Sequence, residues 1–172
     1  MRFTAATLTV PRGGLAALRS ELGTVWGLFV PQIGAASETV EVVVAGELPA
    51  LTSATVAVAH ALDATVRPTD DAPLTDDGVY ALRWFEIDPV DWPEFLALSE
   101  GAWPGFEGAN PGVRVHGFFR GGDERVLLVT RYPSLASWES SRNAPDDAGG
   151  ANFRRRHELT RSTIVRTYRL IA

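Results

Sequence analysis

Residues 115–135 read VHGFFRGGDERVLLVTRYPSL, and this stretch decides the fold. Two runs of β-branched and aromatic residues flank the turn-forming sequence GGD, a pattern typical of a β-hairpin. The YPSL sequence that closes the stretch predicts a strand followed by a helix, because Ser134 is a favourable N-cap residue. We therefore expect strands over 113–120 and 125–132 and a helix over 134–142.

The first half of the chain carries a second version of this layout. TVWGLFV at 24–30 and TVEVVVAGELPAL at 39–51 align with the two runs above, so that Gly27 matches Gly117. Ahead of each copy of this layout, the chain has a predicted strand that ends at a proline and then an amphipathic segment. The chain is therefore predicted to hold two β-α-β-β-α-β units, 1–68 and 79–172, joined by the polar linker 69–78.

Hydrophobic periodicity places the remaining elements. In the first unit we expect strands over 2–10, 24–31, 39–47 and 63–68 and helices over 12–22 and 50–62. In the second unit we expect further strands over 79–87 and 163–171, further helices over 89–100 and 151–161, and a loop over 143–150. Each unit makes a four-stranded antiparallel sheet with helices on one face, and the two free apolar faces stack into a barrel with a lumen.

Several short motifs resemble one known family. YALR at 80–83 precedes a helix that starts at proline, and VHGFFR at 115–120 and YPSL at 132–135 follow it. With these motifs the second unit resembles the NIPSNAP-like family of the dimeric α/β-barrel superfamily. WGLF at 26–29 and QIG at 32–34 extend the resemblance to the first unit. It implies an α+β fold of two fused ferredoxin-like units that form an α/β barrel, and it transfers no active-site residues.

The composition excludes several classes of chemistry and partner. The chain has no Cys, and all 16 basic residues are Arg, which excludes thiolate metal sites and a lysine Schiff base. A net charge of −5 argues against nucleic-acid binding. The apolar runs are too short to span a bilayer, and the first residues lack the pattern of a signal peptide. We expect a cytoplasmic protein with neither nucleic-acid nor membrane partners, as a monomer or homodimer.

His116 is the strongest candidate for a general base. Strand alternation places it on one face of 113–120 with Phe118 and Arg120, and the opposite face suits packing under helices, so we expect His116 in the lumen. The same strand alternation places Trp26 in the lumen as well. On strand 79–87, Trp84 and Glu86 share one face and are expected to join His116. We predict catalytic roles for His116 and Glu86, because an imidazole and a buried carboxylate exchange protons near neutral pH.

Six residues are candidates for substrate binding: Trp84, Trp26, Phe118, Trp103, Arg120 and Arg131. Trp103 lies in a predicted loop with Phe106 that caps the barrel mouth, and Arg131 is placed to clamp a ligand carboxylate or to form a structural ion pair. Arg154-Arg155-Arg156 is a candidate for binding an anionic ligand or a nucleic acid, and we interpret it instead as a solvated surface that pairs with the acidic first half. The three histidines lack metal-ligand spacing, so we expect no metal and no cofactor, with haem on a lone His116 or His157 as an alternative.

Two functions remain open at this point. Relatives in the superfamily include cofactor-free oxygenases and cyclases, so the resemblance implies oxidation, cyclisation or isomerisation of a small apolar or aromatic molecule by a lumen base. The alternative is a non-catalytic ligand-binding or scaffold protein. A lumen filled by Phe118, Trp26 and Trp84 favours the alternative, whereas an open pocket of roughly 300–1,000 Å³ favours the enzyme.

Overall fold

The computed structural model describes residues 1–122, 124–142 and 150–171, and the strands of this part close into one barrel. The strands are Arg2–Thr9 (β1), Gly27–Ile33 (β2), Thr39–Ala45 (β3), Thr55–Ala64 (β4), Val79–Ile87 (β5), Arg114–Gly121 (β6), Arg125–Tyr132 (β7) and Thr160–Leu170 (β8). The helices are Leu15–Leu22 (α1), Trp92–Ala109 (α2), Leu135–Ser141 (α3) and Gly150–Glu158 (α4).

The strand order confirms the predicted fold class. Around the barrel the strands run β1-β3-β2-β8-β5-β7-β6-β4, and every pair is antiparallel. Within each half, the fourth strand lies beside the first, then the third, then the second. The edge strands of one half pair with those of the other, β2 with β8 and β4 with β6. Closure removes the free edges that an isolated sheet would expose.

A matched pair of glycines marks the duplication in the packed structure. A Cβ on Gly27 would meet the ring of Phe29, and a Cβ on Gly117 would meet the ring of Phe119. In both halves, therefore, an aromatic ring two residues further along the strand covers a glycine inside the barrel. The two aligned glycines, Gly27 and Gly117, therefore have the same packing, each under a phenylalanine ring of its own strand.

Replacing Gly117 with Ala is expected to destabilise the barrel by about 2 kcal/mol, because overpacking a filled core forces strained rotamers. The new Cβ would lie 2.8 Å from Cζ of Phe119 and 3.0 Å from Cη2 of Trp26. Urea unfolding measures the change. Gly122→Ala is the control, since no described atom lies within 4 Å of a Cβ there. Equal stability of the two variants would contradict this account of the core.

The predicted helix over 50–62 is wrong, as is the short strand near 63–68. Instead, β4 occupies Thr55–Ala64 and pairs with β1 from Arg2 to Thr9. The alanines suggested a helix, but the segment TVAVAHAL alternates valine, histidine or leucine with small residues, which is a strand period. As a consequence none of the described helices covers β4, and its outward-facing alanines are exposed.

The elements of the second half match the prediction with shifted boundaries. The helix expected over 89–100 follows a 3₁₀ turn at Pro89–Asp91 and continues to Ala109, so Trp103 and Phe106 are helical rather than in a loop. Ser134 caps α3 by accepting a hydrogen bond from the Ser137 amide at 3.1 Å. Of the loop predicted over 143–150, residues 143–149 lie outside the described residues, and Gly150 begins α4.

The helices lie on the outside of the barrel. Leu18 and Leu22 of α1 pack on the first half, while α2 and α4 cover the second half. The linker 69–78 has no regular secondary structure, and Leu74 packs against the barrel interior. Among the described helices, none is long and apolar enough to cross a membrane.

Candidate functional site

Aromatic side chains fill one part of the barrel interior. Phe3, Trp26 and Phe119 contact one another edge to face, with ring centroids 5.1–6.0 Å apart. Phe29 continues this packing towards Tyr80 and Tyr168. All six residues are at most 2% exposed. This part of the lumen is therefore a packed core, and Trp26 faces the interior as predicted. Trp26 also borders two cavities, of about 440 and 400 Å³, on the side of the linker.

His116 lies beside this core, near the linker. Its ring centroid is 5.9 Å from that of Tyr80, and its Nε2 is 3.7 Å from a carboxylate oxygen of Asp76. Nε2 is buried without a hydrogen-bond partner among the described residues. Burial lowers the pKa of His116, although the charge of Asp76 acts in the opposite direction. Burial therefore favours the neutral form of the imidazole.

Glu86 and Trp84 lie near the other end of the barrel, so the expected grouping with His116 is wrong. Tyr80, which contacts His116, and Glu86 are six residues apart on β5, or about 20 Å along the strand. Glu86 is exposed, accepts a hydrogen bond from Ser162 at 2.8 Å and lies 3.9 Å from Arg125. Trp84 faces the interior as predicted, but its ring packs against that of His60, with 4.9 Å between the two ring centroids.

Phe118 faces away from the lumen, contrary to the prediction. A bulge between Val115 and Gly117 inserts one extra residue into β6 and inverts the alternation beyond it. Phe118 consequently packs under α2 against Trp92, Phe95 and Trp103.

The two arginines predicted to bind substrate serve other contacts. The Arg120 guanidinium lies over the ring of Trp92, with its carbon 4.9 Å from the ring centroid. Arg131 donates to the backbone oxygen of Asp77 at 2.7 Å and to that of Gly112 at 2.8 Å. Arg131 therefore ties the linker to the second half through backbone oxygens, and it forms the predicted ion pair with none of the described carboxylates.

The barrel mouth near Trp84 holds a buried carboxyl group. Glu41 points inward from β3 and accepts hydrogen bonds from Thr7 at 2.9 Å and Tyr168 at 3.3 Å. Burial raises the pKa of Glu41 to about 6, against the opposing effects of these bonds and of the charge of Arg166. A cavity of about 220 Å³ adjoins this group.

Replacing Glu41 with Gln is expected to stabilise the protein by about 2 kcal/mol at pH 8, with no gain at pH 4. The folded pKa is raised from 4.5 to about 6, so the folded state holds its proton more tightly than the unfolded chain. That contribution to stability is complete below pH 4.5 and is lost as pH rises through 6. Urea unfolding at both pH values is the measurement, with exposed Glu38→Gln as control. A gain of equal size at both pH values would contradict the assignment.

A large cavity lies outside the barrel, between the sheet of the second half and its helices. It measures about 580 Å³. Strands β5, β7 and β8 form its floor, and α2, α3 and α4 form its walls and rim. Its aromatic lining residues are Phe85, Trp103, Phe106, Tyr132, Trp138 and Phe153. We call this cavity the helix–sheet pocket.

Four of the described residues that line the helix–sheet pocket are arginines, and two of them, Arg83 and Arg156, lie over one aromatic ring. Arg83 projects from β5 and Arg156 from α4, and their guanidinium carbons lie 5.9 Å and 5.1 Å from the centroid of the Phe85 ring. Burial lowers the pKa of both groups, that of Arg156 to about 10, and each is lowered further by nearby positive charge. Burial raises the pKa of Tyr132 between them, although both arginines oppose the rise. The pocket therefore combines apolar walls with concentrated positive charge.

Local sequence explains why these groups point inward. Alternation along β5 places Ala81, Arg83 and Phe85 on the face beneath the helices. On α4, Arg155 is directed outward, where it pairs with Glu94 at 2.6 Å and Glu158 at 3.0 Å. The next residue, Arg156, then falls on the inner side of the helix. Its neighbour His157 also borders the pocket.

Sequence reasoning missed Arg83 and Arg156 for different reasons. Arg83 was visible as a lone charge in an otherwise apolar face, which is an informative signal. The three-arginine run was interpreted as solvated, and this is right for Arg155 but wrong for half-buried Arg156. Trp103, which was predicted to bind substrate, does line the pocket, and its indole Nε1 is buried without a partner among the described residues.

The described residues contain no group of three or more His, Asp or Glu side chains that could hold a metal ion. Of the two histidines considered for haem, His157 borders the helix–sheet pocket and His116 does not.

Comparison with known proteins gives a fold and no family. No protein-family model matches the chain, and no curated protein matches its sequence. The structure of a major regulator of staphylococcal pathogenesis has a TM-score of 0.68 at 12% identity, with all of both chains covered. A Listeria monocytogenes ferredoxin-fold protein related to antibiotic biosynthesis monooxygenases has a TM-score of 0.63 at 12% identity, covering 99% of this chain and 95% of that one.

An anthrone oxidase-like protein gives a TM-score of 0.62 at 15% identity, covering 99% of this chain and 92% of that one. At such identities the likeness shows the ferredoxin-like fold alone. Membership of the NIPSNAP-like family is not established by these comparisons.

Proposed function

We propose that the protein is a small-molecule enzyme that oxidises a planar aromatic substrate with dioxygen in the helix–sheet pocket. The observation that carries the proposal is the pocket itself, whose 580 Å³ and aromatic walls suit a ligand of two or three fused rings. The names of two structural neighbours, one related to antibiotic biosynthesis monooxygenases and one anthrone oxidase-like, support an oxidation.

The proposed reaction balances without an external reductant. A substrate CH₂ group flanked by unsaturated carbons loses one proton to give a stabilised carbanion, which transfers electrons to dioxygen. One oxygen atom becomes the carbonyl oxygen of the product, and the other leaves as water with both hydrogens. The four electrons that the substrate loses are the four that dioxygen gains.

The side chains of the pocket suit the first step. His157 at its border is the proposed proton acceptor, since imidazole is the commonest general base in enzymes. The guanidinium groups of Arg83 and Arg156 are placed to stabilise developing negative charge in an apolar site. This proposal moves the base away from His116 and Glu86, which lie too far apart to act on one atom.

A pair of tryptophan substitutions on β8 tests the location. Thr163 borders the helix–sheet pocket, whereas the neighbouring Ile164 borders the cavity at the barrel mouth. Both residues are exposed, so a tryptophan is tolerated at either position. With anthrone and related planar phenols as substrates, we expect Thr163→Trp to abolish dioxygen uptake and Ile164→Trp to retain it.

The reverse pattern would assign the chemistry to the barrel mouth and contradict the proposal. The packed aromatic lumen favours a second candidate, a protein that binds the same kind of molecule without transforming it, and one structural neighbour is described as a regulator. Binding in the helix–sheet pocket without dioxygen uptake would support that candidate.

A further inference from the structure

The helix–sheet pocket contains positive charge that the described protein does not neutralise. None of the described carboxylates forms an ion pair with Arg83 or Arg156. Glu158 is the single carboxylate among the described residues that border the pocket, and its side chain is bonded to Arg155. Within the part of the chain that the structure describes, a protein with a net charge of −5 thus places two guanidinium groups without an ion pair, Arg83 and Arg156, in one apolar cavity.

Most of the hydrogen-bond donors of these arginines are also unused. A guanidinium carries five N–H donors. Within the described structure, Arg156 makes one long bond, 3.4 Å to the hydroxyl of Ser99, and Arg83 makes none. Their remaining contacts are with aromatic faces, those of Phe85, Phe95 and Phe153. Such contacts hold the guanidinium planes in place, but they leave the N–H groups at the edges of those planes free to donate to an acceptor.

Two like charges over one ring repel each other, so a folded protein retains such an arrangement at a cost in stability. An anionic ligand oxygen between them would remove the repulsion and accept hydrogen bonds from both groups. The aromatic walls restrict the rest of the ligand to a flat, apolar body. The unpartnered Nε1 of Trp103 provides one more donor at the pocket.

We propose that the pocket binds a planar aromatic molecule in its phenolate or enolate form, with the oxyanion held between Arg83 and Arg156. This inference rests on the proposed function, because it names the substrate class of the same pocket. Binding the anion in preference to the neutral molecule makes the substrate more electron-rich. Electron transfer to dioxygen then starts from the ionised form.

Spectroscopic titration of two bound dyes tests the inference without turnover. 7-Hydroxycoumarin and alizarin are planar, and their neutral and ionised forms absorb at different wavelengths. With protein in excess and oxygen removed, we expect the pKa of each bound dye to fall by at least about one pH unit, which means that the anion binds about tenfold tighter or more. 7-Methoxycoumarin, which cannot ionise, serves as the neutral reference.

Arg83→Met and Arg156→Met are expected to abolish the fall in dye pKa, whereas Arg155→Met, on the same helix and outside the pocket, retains it. Arg83→Gln removes the charge but keeps much of the side-chain volume and a polar end. The titration is repeated with this variant if a methionine variant does not fold. An unchanged dye pKa, binding of neither dye, or a fall that survives loss of both arginines would overturn the inference.

The two proposals fail separately. A lowered dye pKa without dioxygen uptake on any planar substrate would leave the binding inference standing and refute the oxidase. Dioxygen uptake with an unchanged dye pKa would support the oxidase and refute the binding inference.

Discussion

Replacing Arg156 with Met is expected to lower the rate of dioxygen uptake by about a hundredfold or more, the usual effect of removing one preorganised donor to a developing anion. The fold is expected to remain intact, because Arg156 is half-buried without an ion pair to any described carboxylate, and exchanging such a charge for an apolar side chain of similar volume is often neutral or stabilising. Loss of the contacts with Phe85, Phe95 and Phe153 opposes that gain. We therefore expect equal stability or a rise of up to about 2 kcal/mol.

The control for Arg156→Met is Arg155→Met. It removes the same charge from the same helix, together with an exposed ion pair to Glu94 that contributes little to stability because solvent screens it. Its dioxygen uptake is expected to match that of the unmodified protein. Equal losses of activity in both variants would contradict a specific role for Arg156, and so would a loss of activity that follows a loss of stability.

Replacing Phe118 with Ala is expected to destabilise the protein by about 3–5 kcal/mol, because it empties a ring-sized volume in a packed core. Phe118 is fully buried between β6 and α2, in contact with Trp92, Phe95 and Trp103. Such a loss is a large part of the total stability of a typical domain. Urea unfolding gives the value directly.

Phe118→Leu separates packing from ligand binding. Leucine fills much of the same volume, so we expect most of the stability to return and dioxygen uptake to persist. A Phe118→Ala protein with normal stability but no ligand binding would instead support the original prediction that this ring contacts substrate.

The sequence predicted the barrel because its signals are periodic and repeated. Two hairpin-containing units, with Gly27 and Gly117 at matching positions, suffice to indicate fused antiparallel sheets. The segment around β4 was predicted less well, because alanine favours helices while the alternation of valines with alanines is compatible with a strand. Pairing with β1 and β6 selects the strand over the helix, and the residues of the segment itself do not reveal such long-range pairing.

The candidate site was harder to predict for a related reason. One bulge beside His116 inverted the assignment of Phe118, and a bulge has no reliable local signal. The cavity itself forms between elements distant in sequence, β5 and α4, so no motif contains both Arg83 and Arg156. The usable signals were the charge of Arg83 within an apolar strand face and the run Arg154-Arg155-Arg156, for which binding of an anionic ligand was one of the alternatives.

A crystal structure of the protein soaked anaerobically with alizarin tests the central claim most directly. We predict that the dye lies between the sheet of the second half and α2 and α4, with its ionised oxygen within hydrogen-bond distance of Arg83 and Arg156. Dye located instead at the barrel mouth beside Glu41 and Trp84, or absent from the helix–sheet pocket at saturating concentration, would contradict the account.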